Sequence, residues 1–268
     1  MKAIANNLGF WNREFTGAVR AGDSLKVSAM AKSLRDAGAD IINISLSLDG
    51  DGDEHHMAFA VDAVREAGLP ISIDSRNPAA HDAAVMAVSR ASDKVPLIHN
   101  YISGQPSQSM DAILKIAAGS RSDIVVYANK DGTPADAEER LRIISDLIER
   151  ANAAGIPNEK IIVDPVILHV AGGSGNGQEQ AVAVQETISA LGELIEPPIR
   201  TTCWVHNVSA GAPSGLRFAI NDTYIAMLAG VGLWSAYIDV LNRETMRTVR
   251  LVRALKNEAV YSTSDAEL

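Results

Sequence analysis

The chain has 268 residues, 47% of them hydrophobic and 21% charged, and its 24 Lys and Arg against 33 Asp and Glu leave a formal net charge of −9. These values exclude a disordered or collagen-like chain and predict a folded protein with a sizeable core. They also argue against nucleic acid as a partner, because no basic patch relieves the repulsion from phosphates, and against a membrane span, because no apolar run approaches about 18 residues.

Residues 1–7 lack the apolar centre of a secretory signal, and a single Cys203 excludes an internal disulfide, so a reducing, cytoplasmic setting is expected. From there the chain alternates. Short β-branched runs stand at 3–5, 40–46, 70–73, 96–99, 123–128, 160–163, 200–205 and 234–238. Between and after them lie stretches of helical periodicity at 24–37, 54–67, 79–90, 110–118, 135–154, 178–194, 218–229 and 243–256. Gly38, Gly68 and Gly155 stand where helices should stop, and Pro70, Pro96 and Pro157 at or just before strand entries. The strands are near-continuously apolar, as parallel strands covered by helices are. Eight such units predict an α/β fold, a (β/α)8 TIM barrel, as a single domain over 1–268; an open, doubly wound sheet is the alternative.

In such a barrel, chemistry gathers at the C-terminal strand ends. Those ends carry Asn43 and Ser45, then Asp74-Ser75-Arg76-Asn77, His99-Asn100-Tyr101, Asn129-Lys130-Asp131, Asp164-Pro165 and His206-Asn207-Val208-Ser209. An Asp in this position often does no more than cap the next helix. Together, though, Asp74, Asn100, Asp164 and Asn207 form a set rich in acceptors and poor in cations, which suits a neutral heterocycle with several N–H groups better than a phosphate.

Other motifs point to blander roles. Asp49-Gly50-Asp51-Gly52-Asp53 resembles the start of a calcium loop, but Glu54 and Ala60 stand where that loop needs Gly and an acid, so it reads as an acidic helix-capping loop. His55 and His56 would point apart on a helix and lack a third ligand. The glycine-rich 172–177 is neither a dinucleotide fingerprint nor a P-loop; it reads as a mobile loop or a lid over the site. Cys203 and Trp204 read as packing residues. His99, His169 and His206 are equally candidates for lining the site or for structural histidines.

The segments Ile71-Ser72-Ile73-Asp74-Ser75, Ile98-His99-Asn100, Ile162-Val163-Asp164-Pro165-Val166-Ile167 and His206-Asn207-Val208-Ser209 resemble the pterin-binding barrel family. Within it they look most like the methyltetrahydrofolate:corrinoid-protein methyltransferases. The resemblance continues through Arg217, Asn221-Asp222-Thr223, Gly232-Leu233 and Ala259-Val260-Tyr261, and so covers essentially the whole chain in order. It implies that Asp74, Asn100 and Asp164 hold the pterin ring, that the Asn207 amide reaches N5, and that Ser209 and Arg217 share one loop, where Arg217 either meets the anionic folate tail or simply pairs on the surface.

The substrates so implied are tetrahydrofolate and 5-methyltetrahydrofolate. The corrinoid is expected on a partner protein, no bound metal of its own is expected, and the protein is expected to be a homodimer. The alternatives are a dihydropteroate synthase, against which Ala236-Tyr237-Ile238-Asp239 departs from the usual basic strand end, and a pterin-binding module without catalysis. Asn43 stands where the family usually carries Asp. Without that charge N5 is less readily protonated, which favours loading methyl groups onto tetrahydrofolate; a water making up the contact is the bland alternative.

Overall fold

The computed structural model describes residues 1–46, 53–104, 107–170 and 177–261. The apolar runs form eight parallel strands among these residues: β1 (Lys2–Gly9), β2 (Ile41–Ser45), β3 (Ile71–Asp74), β4 (Leu97–Ser103), β5 (Asp123–Tyr127), β6 (Ile161–Asp164), β7 (Arg200–Thr201) and β8 (Ser235–Ile238). Their order is β7-β6-β5-β4-β3-β2-β1-β8. The two ends of that order meet where Tyr237 N donates to Cys203 O at 2.9 Å and Trp204 bridges to Tyr237. The result is the (β/α)8 barrel that the alternation of the sequence predicts.

The described helices are α1 (Arg13–Arg20), α2 (Ser24–Asp36), α3 (Asp53–Val64), α4 (Pro78–Arg90), α5 (Gln108–Ser120), α6 (Ala137–Ala153), α7 (Gly177–Leu194), α8 (Ser214–Gly230) and α9 (Arg243–Leu255). Their starts obey ordinary capping chemistry. Asn77 accepts from Ala79 N ahead of Pro78, and Asp136 accepts from Glu139 N. At all three expected stops the glycine has a positive φ, +74° at Gly68 and +91° at Gly155, a conformation that costs side-chain-bearing residues energy.

The structure differs from the sequence expectation most plainly at α1, β1 and β7, while β4 runs on to Ser103 and α8 begins early, at Ser214. Helix α1 is not predicted by the periodicity: it has eight residues, and Phe15, Ala18 and Val19 alone supply its buried apolar stripe, too few to establish a period. Strand β1 runs well beyond the predicted 3–5. Strand β7 keeps two of the six predicted residues, because the segment leaves β6 after Thr201 to reach β8 and close the ring. The acidic run 49–52 and the glycine run 172–176 lie outside the described residues.

The strands have two buried faces. Outward side chains such as Ile42, Ile44, Ile71 and Ile73 pack beneath the helices with Val27, Met57, Val61 and Ala84. A separate cluster of Ile4, Ile41, Ile98, Val125, Ile162 and Tyr237 fills the barrel interior. Because side chains alternate along a strand, the residue two positions on points inward as well, and there the character changes. Ile4 is followed by Asn6, Ile41 by Asn43, Ser72 by Asp74, Ile98 by Asn100, Val125 by Tyr127 and Ile162 by Asp164. The barrel is thus plugged by apolar side chains below and lined by polar ones toward its C-terminal mouth.

Candidate active site

Among the described residues, the polar ring is built so that acceptors are left over. Asn43 is fully buried; its Nδ2 donates to Asn6 Oδ1 at 3.2 Å, and its Oδ1 has no partner. Asn100 is fully buried; its Nδ2 donates to Tyr237 OH at 3.1 Å, and its Oδ1 has no partner. Asp164 is 1% exposed; its Oδ1 accepts from Val166 N at 2.8 Å, and its Oδ2 has no partner. Asp74 lies half-buried at the mouth and accepts from the Ser45 hydroxyl. Thr202, inward by the same alternation, adds an unpartnered buried hydroxyl. Each unpaired buried group costs about 1–3 kcal/mol, so the cluster is unfavourable until donors reach it.

The two carboxyls feel that environment. Burial pushes Asp164 up from 3.8 to about 7, against the opposing Val166 N–H. Burial likewise pushes Asp74 up to about 6, opposed by the Ser45 hydroxyl and the Arg76 guanidinium.

Two buried devices hold these carboxyls in place, and of their residues the sequence singles out only His99, which proves to be a buried structural histidine. The first is Arg140 on α6, fully buried. Its Nε donates to Pro165 O at 2.9 Å, its Nη2 to Val166 O at 3.3 Å and its Nη1 to Asp136 O at 2.9 Å. Nη2 also donates to Gln180 Oε1, and Gln180 Nε2 donates to Ala135 O at 2.7 Å. The planar guanidinium thus grips the backbone just after Asp164, where Val166 sits at φ +63°, an unfavourable value for a β-branched residue.

The second is a histidine pair behind β4. His81 Nε2 lies 2.9 Å from Ser75 O. A carbonyl can only accept, so Nε2 carries the hydrogen and neutral His81 presents a lone pair on Nδ1. His99 Nδ1, 2.9 Å away, must therefore donate to it. Burial lowers His81 to about 4 and His99 to about 3, so both rings stay neutral. Ser75 N in turn donates to Asn100 O at 3.1 Å, which joins the backbone after Asp74 to that of Asn100.

Of the sequence-predicted residues, Asn43, Asp74, Asn100 and Asp164 come together on the inner strand faces. Asn207 lies half-buried on a 3-10 turn, Val205–Ser209, rather than on a strand end, and its amide makes no hydrogen bond to the described residues. Ser209 is buried, and its hydroxyl donates to His206 O at 3.2 Å. Arg217 does not share a loop with Ser209: it is exposed in the first turn of α8, and its Nε donates to Ala212 O at 2.9 Å. His169 and His206 are exposed, Cys203 is buried, and Trp204 stacks on Tyr237 with ring centroids 4.2 Å apart. Beside the ring, a cavity of about 560 Å³ is lined by Arg76, Tyr101, Ser103, Ser107, Tyr127 and Asn129. Arg76 Nη2 donates to Tyr101 OH there at 3.1 Å.

The family described as pterin binding enzyme matches residues 12–259. The methionine synthase of Mycobacterium tuberculosis (strain ATCC 25618 / H37Rv) is 22% identical over 231 residues, which make up 85% of this chain and 19% of that protein. The chain therefore spans about a fifth of the length of this curated relative. Among solved structures, the Yersinia pestis dihydropteroate synthase with a pterine-sulfa conjugate superimposes with a TM-score of 0.67 at 17% identity, covering 96% of this chain and 94% of that one. The Xanthomonas albilineans dihydropteroate synthase with 4-aminobenzoic acid gives a TM-score of 0.69 at 16% identity, covering 97% and 94%. At these identities the structural likeness speaks to the fold.

The buried Asp164 sets a trade between stability and site chemistry. Between pH 3.8 and about 7 the folded protein keeps a proton that the unfolded chain has lost, so the native state loses stability as pH rises through that window. Asp164→Asn keeps the acceptor for Val166 N but removes the charge. It is expected to stabilise the unliganded protein by about 1–3 kcal/mol at pH 8, with a gain that shrinks toward pH 4. Urea unfolding at both ends of the window checks this; destabilisation at pH 8 would contradict it.

Proposed function

Because the chain belongs to the pterin binding enzyme family, we propose that it moves a methyl group between N5 of tetrahydrofolate and a corrinoid carried by a partner protein. The observation that carries this reading is the set of unpartnered buried acceptors, Asn43 Oδ1, Asn100 Oδ1 and Asp164 Oδ2. A reduced pterin offers a matching row of donors on its 2-amino group and ring N–H groups. A carboxylate taking two such bonds fixes the plane of the ring. In this reading Asp74, Asn100 and Asp164 hold the ring from β3, β4 and β6. Asn43 lines the same surface.

The ring also lacks what a second reading requires. A dihydropteroate synthase expels pyrophosphate, and such an anion calls for cations close to the reacting carbon. Among the described residues, the inner polar ring contains no Lys or Arg, and the inward position on β8 is the buried phenol of Tyr237. The match to a methionine synthase supports the methyl-transfer reading. The dihydropteroate synthase neighbours share the fold at 16–17% identity.

The chemistry asks little of the protein beyond position and charge. In the direction that forms methyltetrahydrofolate, the N5 lone pair attacks the methyl carbon as the carbon–cobalt bond breaks. The bonding pair stays on cobalt, and N5 gives up its proton. The Asn207 amide, without a hydrogen-bond partner among the described residues, is proposed to stabilise the changing charge at N5. Ser209 shapes that turn through its bond to His206 O. Asn43 leaves N5 without a neighbouring carboxylate from β2, which keeps the amine nucleophilic and favours this direction. Arg217 is exposed on α8, while Arg76 opens onto the adjoining cavity, so Arg76 is the better placed cation for the anionic folate tail. The same reading has the protein working as a cytoplasmic homodimer.

Incubating the protein with tetrahydrofolate and methylcobalamin is expected to give methyltetrahydrofolate, and para-aminobenzoate with a dihydropterin pyrophosphate is expected to give no product. The opposite pattern would make the chain a synthase, and folate binding without either turnover a binding module. Asn207→Ala is expected to lower kcat by about 10-fold or more, with KM for tetrahydrofolate nearly unchanged. A loss confined to KM would remove Asn207 from the reacting centre.

A further inference from the structure

Tyr237 is a fully buried tyrosine at the centre of the barrel. Its ring lies nearly parallel to that of Trp204, at 4.2 Å and 7°, so the phenol is held in one plane. Its hydroxyl accepts from Asn100 Nδ2 at 3.1 Å and lies 3.2 Å from Ser72 Oγ. Burial, with Asp74 and Asp164 nearby, pushes the phenol above its ordinary value, so it retains its hydrogen.

A carboxamide has two ends of nearly equal shape and opposite hydrogen-bonding sense. Whichever end faces the ligand decides whether the site offers an acceptor or a donor there. At Asn100 the amine end is engaged by the phenol and the carbonyl end is unpartnered. Ser72 Oγ, 3.2 Å away, is within reach as the acceptor for the phenol's one hydrogen. In that arrangement the bonds run in a single direction, from Asn100 through Tyr237 to Ser72.

We infer that Tyr237 is a positioning residue that fixes the hydrogen-bonding sense of Asn100, so that the site presents a carbonyl and selects ligands with an N–H at that point. This rests on the pterin-binding reading above and assigns a role to the strand-8 residue that departs from the synthase pattern. It also makes Ser72, a residue of the apolar half of the barrel, a part of ligand selection at one remove.

The test measures tetrahydrofolate affinity by titration calorimetry in folded variants. Tyr237→Phe removes the acceptor for Asn100 Nδ2, and is expected to weaken binding about 10-fold or more. Ser72→Ala leaves the tyrosine in place but removes the onward acceptor. The phenol hydrogen then turns to Asn100, and a similar loss is expected. Asn100→Asp added to Tyr237→Phe is the deciding arm, because a carboxylate presents acceptors whichever way it turns, and it is expected to recover most of the lost affinity. Undiminished binding in Tyr237→Phe and Ser72→Ala would overturn the inference, as would a double variant no better than Tyr237→Phe, since a packing defect is not repaired at Asn100. If the wild-type protein itself does not bind tetrahydrofolate, the pterin-binding reading fails and takes this inference with it.

Discussion

The structure depends on one costly arrangement, which is the burial of hydrogen-bond acceptors that have nothing to accept. A closed ring of parallel strands satisfies its backbone within itself and shuts water out of its interior. The simplest interior is apolar throughout. Here the lower half obeys that rule with Ile4, Ile41, Ile98, Val125 and Ile162, while the upper half places Asn43, Asn100 and Asp164 with an oxygen each unpartnered. The apolar plug and the helical outer layer supply the stability that tolerates this, and a donor-rich ligand relieves it.

Keeping such groups in place requires rigid support, and it comes from outside the ring. Arg140 reaches in from α6 to grip the carbonyls of the two residues after Asp164. His81 and His99, neutral and fully buried, tie the backbone after Asp74 to α4 and β4. Tyr237, braced by Trp204, holds Asn100 from within. In each case a side chain uses its own fixed hydrogen-bonding pattern to restrict the freedom of a neighbour. That is how a site can be preorganised without strongly charged pairs.

Much of this is legible from residues alone. The alternation of β-branched runs with helical periods identifies the barrel, and the polar residues at the C-terminal end of each run locate Asn43, Asp74, Asn100 and Asp164. The polar step two residues beyond Ile41, Ile98 and Ile162 is a local pattern that period-2 geometry turns into a shared surface. Apart from His99, a candidate structural histidine, the supporting residues are not legible. Arg140 looks like any charged residue on an amphipathic helix, and its burial arises from the placement of Pro165, Val166 and Gln180 over it. Tyr237 reads as an ordinary strand aromatic until β7 turns aside to meet β8. The placement of Arg217 fails for a related reason: the start of α8 at Ser214 moves it from the loop onto a helix, and no local signal marks that boundary.

The central claim is that the unpartnered acceptors, with the raised carboxyls of Asp164 and Asp74 among the site's groups, exist to receive N–H donors. It has a direct thermodynamic consequence. Donors favour the ionised carboxylate, so a bound pterin should lower the pKa of Asp164 from about 7 and of Asp74 from about 6. Binding then expels protons in that range and none well above it. Calorimetric titration with tetrahydrofolate at pH 6.5, in two buffers of different ionisation enthalpy, is expected to show release of roughly one proton per site. The release should fade toward pH 8.5, with affinity weakening as pH drops. Binding that exchanges no protons at pH 6.5, or takes them up, would contradict the account.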